Sequence, residues 1–514
     1  MTRTGSLLRN VLSNWLVLAI GIAYTFIVTP IVVRSLGVER YGIWSFLNGL
    51  LAYSELLYLG LGSALVKYVA QYRARDDQEG LNRLVSVVAT IYGVLGLACL
   101  LVFAGLSPLV PKLFPEPLAP DTARAASIVC VLLGARLMLI FISSAFAGLL
   151  NGNERFDLVN AVQLVGTLLL LALTPALLLA GKWNPLVTLA WLTASGAALH
   201  AIALPLVAFR LLPHLRVRPV IPTRVELRWL YSFGLQSFFI LFAVKLISYT
   251  DTTVIGVVLG AGSVAAYVLP LLLVEMSRMA VGGFAGVFLP QLTVLTTQGR
   301  EYELRQTLIG ASRIAFFMAA WSSSCLIVLG PSFLNRWIGT SVGTDTRYVL
   351  LFLALASWLH VLITQIPLAF YQALHRMVRP ATILILEAAA NLGLSVLLAP
   401  RLGITGVALA TLLPVVFISF LTLPPYLSRQ VNLPFRAFLA GTLPAGLMLF
   451  TLNLLAQFAL VAVVPGDSYA RLAARALSSL PVAVAVFWLM FPASERERLL
   501  RIVSRVLPAR TATP

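Results

Sequence analysis

Charged side chains are scarce in this 514-residue chain, where Asp, Glu, Lys and Arg together make up 11% of the residues. A soluble domain carries about 25% of them and is about 45–50% apolar. Here 60% of the residues are hydrophobic. The chain departs from the soluble average in both directions at once. This excludes an ordinary soluble enzyme or binding domain and indicates an all-α membrane protein with many spans.

Cysteine and histidine are also rare, with three and four copies. Cys99, Cys130 and Cys325 all lie in apolar runs, at spacings that fit neither a zinc site nor a disulfide framework. His360 stands alone in another apolar run, with no second ligand at metal spacing, and is interpreted as a hydrogen-bonded packing residue. We therefore expect no metal site and no bound cofactor.

Three further patterns are missing, and each missing pattern disfavours a class of function. No Gly-x-x-x-x-Gly-Lys occurs, which argues against an ATPase motor within the chain. No basic domain or arm carries the net charge of +18, so the charge indicates the positive-inside bias of membrane proteins, and no nucleic acid partner is expected. The longest outer connections, near Pro108–Asp121 and Trp337–Thr346, hold no acid–base constellation, which argues against an enzyme.

What the chain does contain is a series of apolar runs long enough to cross a bilayer. We predict 14 spans with short connections and no extramembrane domain. The first run, Ser13–Val33, is too long for a signal peptide and counts as a span. The spans centre near Gly21, Ser54, Gly96, Met138, Leu169, Ala197, Phe242, Leu273, Trp321, Ser357, Leu392, Val415, Met448 and Val484.

The connections also predict orientation. With the N-terminus inside, the inner connections and the tail hold most of the Lys and Arg that lie outside the spans. The positive-inside rule then places both termini in the cytoplasm, which requires an even number of spans.

The longest basic connection, Arg210 to Arg228, contains three prolines and divides the chain. We predict an N-terminal lobe of six spans over residues 1–222 and a second over 223–430. Two extra spans and a basic tail follow over 431–514. A Leu-Gly pair, and then a tyrosine, opens the second span of each lobe, at Leu36–Tyr41 and Leu259–Tyr267. Such an echo predicts a parallel repeat about an axis along the membrane normal.

Three cations lie deep inside predicted spans: Arg136, Lys245 and Arg278. A charge at the bilayer centre costs roughly 2.5–3.5 kcal/mol on insertion scales, so it usually faces protein or water. All three are candidates for binding an anionic substrate. For Arg136, a structural ion pair with a neighbouring carboxylate stays open as the alternative. Arg278 has such a partner at hand, because Glu275 lies on the same helical face.

Four acids in the spans are candidates for coupling transport to an ion, H⁺ or Na⁺: Glu55, Asp251, Glu275 and Glu387. A buried carboxylate can bind and release a proton near neutral pH. The alternative for each is hydrogen-bonded helix packing, or for Asp251 a helix cap. Polar residues that share helical faces with these groups or with each other are predicted to line a cavity: Asn14, Thr25, Asn48, Ser248 and Asn391.

Several motifs, in their order along the chain, resemble the oligosaccharide flippases among the polysaccharide transporters, within the multidrug/oligosaccharidyl-lipid/polysaccharide superfamily. They are PIVVRSLGVERYG from Pro30, LGLGSALVKYVA from Leu59, NGNERFD from Asn151, TDTTVIG from Thr250 and FLPQL from Phe288. The resemblance covers about the first 300 residues by motif. Many relatives carry Asp-Leu-Gly near the end of span two, where Tyr58 begins the corresponding triplet. A carboxylate role there would fall to Glu55.

The resemblance implies an alternating-access transporter of the bacterial inner membrane. It would move a polyprenyl-diphosphate-linked oligosaccharide from the inner to the outer leaflet for cell-surface polysaccharide synthesis. Implied partners are this lipid-linked oligosaccharide, membrane lipids and a glycan polymerase, and the chain is expected to act as a monomer. Alternatives are a cation-coupled multidrug exporter of the same superfamily, a glycan polymerase or ligase, and a non-transporting assembly subunit.

Overall fold

A computed structural model describes residues 3–58, 61–286, 288–339, 345–374, 376–493 and 495–497. These parts of the chain are helical and contain no β-strand. The predicted all-α class is confirmed. Nine helices cover the N-terminal half: α1 Arg3–Leu36, α2 Val38–Ser54, α3 Leu61–Ala74, α4 Gln78–Leu106, α5 Pro120–Gly152, α6 Phe156–Ala180, α7 Pro185–Leu211, α8 Arg224–Leu259 and α9 Ala261–Gly286. Short 3₁₀ turns at Glu55–Tyr58 and Val110–Lys112 follow α2 and α4.

The second half of the chain adds nine helices, two of them continued by π-helical segments. They are α10 Phe288–Thr297, α11 Glu301–Ile338, α12 Asp345–His360, α13 Pro367–Ala373, α14 Val378–Pro414, α15 Leu421–Gln430, α16 Phe435–Val463, α17 Tyr469–Ser478 and α18 Leu480–Met490. The π-helical segments are Val361–Gln365, between α12 and α13, and Val415–Phe420, between α14 and α15.

Thirteen helical stretches in the described residues are long and apolar enough to cross a membrane. One of them, Val378–Gln430, runs for 53 residues and holds two of the predicted spans. Within it Gly403 leaves helical geometry, with φ 60° and ψ −147°, and kinks the chain between the two. The prediction of about 14 spans is confirmed.

The helices assemble into two compact units. The first contains Met1–Val268 and Leu392–Val407, and the second Leu269–Asn391 and Ala408–Pro514. In the first unit α5 packs against α4 and α7, and α1 against α6. In the second, α11 packs against α12 and α16. The lobes predicted from the proline-rich connection, divided at residue 222, stay a prediction.

The Leu-Gly pairs of the sequence echo form matching corners in the first unit. Gly37 precedes α2 with φ 76° and ψ 165°, and Gly260 follows α8 with φ 90° and ψ 170°. This backbone conformation is open essentially only to glycine, because a Cβ would clash with the chain. Each corner lets one helix end and the next begin with no intervening loop. The echo in sequence therefore encodes the same backbone turn twice.

Helix α2 approaches the chain beyond the second corner so closely that a side chain cannot fit. A Cβ on Gly42 would lie 1.7 Å from the carbonyl oxygen of Ala261, and one on Gly256 would lie 2.3 Å from the ring of Phe46. The resembling motifs that contain Gly42 and Gly256 thus meet in space. Packing therefore requires glycine at Gly42 and Gly256, while the two corners require it at Gly37 and Gly260.

The basic connection between α7 and α8 lies extended along α4. Asn82, Ser86 and Thr90, four residues apart on one face of α4, exchange hydrogen bonds of 3.1–3.5 Å with the backbone of residues 214–220. Arg83 donates to both carboxylate oxygens of Glu226 at the start of α8, at 2.8 and 3.2 Å. The connection that divides the chain by composition is therefore held to the first unit.

We predict that Gly42→Ala destabilises the protein by about 1–3 kcal/mol, the usual cost of overpacking. The added methyl group meets a backbone carbonyl, which cannot rotate away as a side chain could. Thermal unfolding of the purified protein in detergent measures the effect. Gly93→Ala on α4 is the control, since a Cβ there meets nothing within 4 Å. Equal midpoints for the two variants would contradict the packing account.

We also predict that acid loosens the connection along α4. The hydrogen bonds from Arg83 lower the pKa of Glu226 from 4.5 to about 2. The stabilisation is present above pH 4.5 and is lost as the pH falls towards about 2. At neutral pH, Glu226→Gln should speed hydrogen exchange of the amides in residues 214–221 by about two- to fivefold, the range of an exposed ion pair. Glu79→Gln is the control, and the same increase in both variants would refute the role of the pair.

Candidate functional site

The first unit contains a group of polar side chains within its membrane spans, which we call the basic cluster: Asn48, Glu55, Arg136, Lys245 and Tyr249. Asn48 lies on α2, and Glu55 begins the 3₁₀ turn that ends this helix. Arg136 comes from the middle of α5, and Lys245 and Tyr249 come from α8. Four of the five are sequence-predicted site residues, and the fold brings them together from distant parts of the chain.

Arg136 is half-buried and held by an amide. Its Nη1 donates to Oδ1 of Asn48 over 3.2 Å. This is the one hydrogen bond that the guanidinium makes among the described residues, and the carboxylate of Glu55 also acts on it electrostatically. A guanidinium has five N–H donors in a planar fork that matches phosphate or carboxylate oxygens. Arg136 therefore retains donors for an anion while Asn48 orients it.

Lys245 forms an ion pair with Glu55. Its ammonium also lies 5.2 Å from the ring centre of Tyr249, within the range of a cation–π interaction. The exposed fractions of the two side chains are 22% for Lys245 and 44% for Glu55, so neither is sealed in the protein. The sequence assigned Lys245 to the substrate and Glu55 to an ion. In the structure they form a single pair that either ligand would compete to open.

Aromatic rings pack beneath this turn, where relatives carry an aspartate. Tyr58 stacks on Phe141 with ring centres 4.5 Å apart and meets Tyr92 edge-on at 5.5 Å. Its hydroxyl lies 3.3 Å from Oγ of Ser144. Tyr58 thus contributes packing and a neutral hydroxyl. Glu55 supplies the carboxylate of this 3₁₀ turn, and a functional role for it stays a prediction.

Asp251 occupies a separate, buried place in the first unit. It is 3% exposed. The hydroxyl of Tyr267 donates to its Oδ2 over 2.6 Å, and the hydroxyl of Ser395 donates to Oδ1 over 3.2 Å. The carboxylate thereby connects three helices of this unit, α8, α9 and α14, and its role in ion coupling stays a prediction.

In the second unit Glu275 and Arg278 pair on α9, over 2.6 Å between Oε1 and Nη1. The i,i+3 pair expected from their spacing is present. Nε of Arg278 is buried and makes no hydrogen bond within the described residues. Arg278 therefore has a local partner and one unused donor, and its assignment to substrate binding stays a prediction.

Glu387 is the most buried of the four candidate acids, at 1% exposure. Its Oε1 lies 2.9 Å from Nε2 of His360, and Ser419 donates a hydrogen bond to Oε2. One turn further along α14, the amide of Asn391 donates to the hydroxyl of Thr411 over 3.1 Å. Sequence reasoning treated His360 as a packing residue and did not consider Ser419. No spacing rule connects residues 27 and 32 positions apart.

The remaining polar candidates have milder surroundings. Asn14 is exposed and accepts a 2.6 Å hydrogen bond from Asn160 on α6, so it joins two packed helices. Thr25 donates to the backbone carbonyl of Gly21 in its own helix over 3.0 Å. Ser248 is half-buried on α8, one turn from Lys245. Their predicted position on a cavity wall stays a prediction. No group of three or more His, Cys, Asp or Glu that could hold a metal occurs in the part of the chain that the structure describes.

Residues 7–295 match the family of polysaccharide biosynthesis proteins, and this match covers more than half of the chain. The chain belongs to this family. The match contains every residue of the basic cluster as well as Glu275 and Arg278. The resemblance noted from the motifs is confirmed.

This polysaccharide biosynthesis protein is also similar to a named membrane protein and to solved transporter structures. It is 26% identical over 483 residues to the uncharacterized membrane protein EpsK of Bacillus subtilis strain 168. The matched region covers 92% of this chain and 93% of EpsK. Its fold is similar to an inward-facing multidrug resistance MATE family transporter of the MOP superfamily, with a TM-score of 0.68 and 16% identity over 80% of this chain and 96% of that one. The lipid II flippase MurJ gives 0.65 and 16% over 91% and 98%.

The chain is thus a multi-pass membrane protein of the polysaccharide biosynthesis family, and its fold is similar to that of MOP superfamily transporters. At 16% identity the solved structures establish the fold alone. Candidate binding residues must therefore be inferred from the geometry of this chain.

We predict that the pair between Glu55 and Lys245 behaves as a unit. Glu55→Lys and Lys245→Glu each place like charges together and should lower the midpoint of thermal unfolding in detergent. The double variant restores opposite charges and should recover the midpoint, with a coupling free energy of at least about 0.5 kcal/mol. If the effects of the two single changes simply add, the pair is not formed.

Proposed function

We propose that this protein is a flippase that moves a polyprenyl-diphosphate-linked oligosaccharide from the inner to the outer leaflet of the bacterial cytoplasmic membrane. The observation that carries the proposal is the basic cluster. Two cations, Arg136 and Lys245, lie within membrane spans of one compact unit, and the single acid Glu55 offsets one of them. The cluster therefore keeps a net positive charge, which suits an anionic headgroup.

The chemistry of a diphosphate fits the geometry of these groups. Arg136 can present two parallel N–H donors to phosphate oxygens, because Asn48 occupies only one of its nitrogens. Lys245 supplies a compact charge that can leave Glu55 for phosphate without breaking a sealed contact, since both side chains are partly exposed.

The membrane potential supplies a driving force without ATP. A diphosphate with about two negative charges moves outward from a negative interior, which is favourable by about 4.6 kcal/mol at about 100 mV. Cationic side chains offset the cost of taking the headgroup through a region of low dielectric constant.

We propose a cytoplasmic location for both termini, a glycan polymerase as a partner in the cell, and a monomer as the transporting form.

A multidrug exporter of the same superfamily is the second candidate, since the MATE family transporter with a similar fold is of that kind. Export of cationic drugs calls for carboxylates that are free to meet a cation. Glu55 and Glu275 each already face a cation in the structure, which favours the anionic substrate.

We predict that Arg136→Ala and Lys245→Ala each reduce glycan export at least about tenfold, because each removes a charged hydrogen bond worth about 1.5–3 kcal/mol. The measurement is the appearance of lipid-linked glycan on the outer surface of membrane vesicles from the producing cells. Arg347→Ala, an exposed arginine in the first turn of α12, is the control and should leave export unchanged. Normal export by both cluster variants, at equal protein level, would refute the proposal. Loss of export of a cationic dye instead of glycan would favour the multidrug exporter.

A further inference from the structure

A second polar group lies in the other unit and takes no part in the basic cluster. It consists of His360, Glu387 and Ser419, whose exposed fractions are 5%, 1% and 0%. Nε2 of His360 lies 2.9 Å from Oε1 of Glu387, and the hydroxyl of Ser419 donates to Oε2. Both carboxylate oxygens are thus engaged, one by an imidazole and one by a hydroxyl. This is an ionisable pair enclosed within membrane spans.

The backbone is irregular at two of these three residues. His360 is the last residue before the π-helical segment Val361–Gln365, and Ser419 lies inside the segment Val415–Phe420. These two segments pack against each other. π-helical turns are rare and occur frequently at functional sites. Glu387 lies on an α-helical part of α14. It contacts His360 and Ser419, two residues at which neighbouring membrane helices depart from α-helical geometry.

Prolines and a close contact mark the same segments as places where the helices can bend. Pro367 begins the helix after the first segment, and Pro424 and Pro425 lie in the helix after the second. The side chain of Gln365 reaches to 2.9 Å from the place a Cβ of Gly282 would occupy, so the first segment also packs closely on α9. A change at Glu387 would be felt in three membrane helices at once.

A carboxylate and an imidazole at 2.9 Å can share one proton between them. With one proton bound, the pair is either a carboxylic acid beside a neutral imidazole or a carboxylate beside an imidazolium, and in both cases it carries no net charge. Releasing the proton to water leaves one negative charge, held by the hydrogen bonds from Ser419 and His360. Burying such a charge is costly. The free-energy difference between the protonated and the deprotonated pair therefore depends on the strength of the hydrogen bonds from Ser419 and His360.

The donor set suits a proton better than a metal cation. Hard cations such as Ca²⁺ and Mg²⁺ take six or more oxygen ligands, whereas imidazole nitrogen suits softer metals. Here one carboxylate oxygen faces nitrogen and the other faces a single hydroxyl.

Several other ionisable groups on the neighbouring elements have partners of their own, among them Glu275 and Arg278, which pair on α9. Arg313 on α11 pairs with Glu495, and Tyr371 on α13 donates to the carbonyl of Leu423. On α14 itself Arg379 lies over the ring of Tyr426 from α15. The remaining ionisable residues described on α11, α12, α14 and α15 are Glu301, Tyr302, Glu303, Arg305, Cys325, Arg336, Asp345, Arg347, Tyr348, Arg401 and Arg429.

We propose that His360, Glu387 and Ser419 form a proton-binding site whose occupancy sets the conformation of the two π-helical segments. The proposal rests on the transport function proposed above, since it supplies the ion that such a transporter exchanges for its substrate. Proton binding tightens or releases the contacts of Glu387 with Ser419 and His360, and the two π-helical segments change together.

The first test measures protonation itself and needs no glycan. The full-length protein is reconstituted in vesicles of phosphatidylethanolamine and phosphatidylglycerol, and infrared difference spectra are recorded between about pH 5 and about pH 8, the interval in which histidine changes charge. We expect a carboxylic acid carbonyl band if the bound proton lies on Glu387, or an imidazolium ring band if it lies on His360, and Glu387→Gln should lose either band. Glu303→Gln, an exposed acid at the start of α11, should leave this band unchanged. A band that survives in Glu387→Gln would overturn the proposal.

The second test follows the π-helical segments in the same vesicles. Hydrogen exchange of residues 361–365 and 415–420, corrected for the intrinsic effect of pH, should change at least about tenfold across this pH interval, or about 1.4 kcal/mol. Glu387→Gln should abolish the change. Ser419→Ala, which removes one hydrogen bond and no charge, should reduce it, and this variant decides the case if Glu387→Gln does not fold. Exchange that is independent of pH in the wild-type protein would overturn the proposal. The same change in exchange on adding Na⁺ at constant pH would also overturn it.

The two proposals fail separately. Loss of the infrared band and of the pH response in Glu387→Gln supports the proton site even if glycan export is normal in Arg136→Ala. Loss of export in Arg136→Ala with no infrared band that depends on Glu387 would support the flippase and overturn the proton site.

Discussion

The free-energy cost of burying a charge in a membrane governs the arrangement of polar groups in this protein. An ionised group without a partner in the hydrocarbon region costs several kcal/mol, so each charge in a span must meet another group or water. Lys245 meets Glu55, Arg278 meets Glu275, and Glu387 meets His360 and Ser419. Arg136 makes its one hydrogen bond among the described residues to the neutral amide of Asn48, and Glu55 is the single acid beside the two cations, so the basic cluster keeps a net positive charge.

Backbone irregularity falls beside these polar groups. The glycine corners at Gly37 and Gly260 begin and end the helices that carry Asn48 and Lys245, and the π-helical segments adjoin His360 and contain Ser419. In a bilayer every backbone amide needs a partner, so departures from α-helical geometry survive only where neighbouring helices cover them. Irregular turns and buried polar side chains thus share the same protected positions.

Much of the fold could be predicted because spans follow from local composition. Runs of apolar residues predicted about 14 spans. The Leu-Gly pairs were visible as an echo in the sequence, and the structure shows that their glycines form two matching corners. The candidate residues were also visible, since Arg136, Lys245 and Glu387 stand out against apolar neighbours. Their partners were not. Glu55 and Lys245 are 190 positions apart, and His360 and Glu387 are 27 apart, so no helical spacing connects them. Only Glu275 and Arg278, one turn apart, could be paired in advance.

The amino-acid sequence by itself determined that the protein lies in a membrane. It also determined the all-helical class, the family and which ionisable groups lie in the spans. These follow from composition and from motifs a few residues long, because hydrophobicity and turn chemistry act locally. Tertiary structure alone decided which of those groups neutralise each other and which keep donors to spare. That choice depends on distances between helices remote in the chain, and an electrostatic interaction in a medium of low dielectric constant is set by such distances.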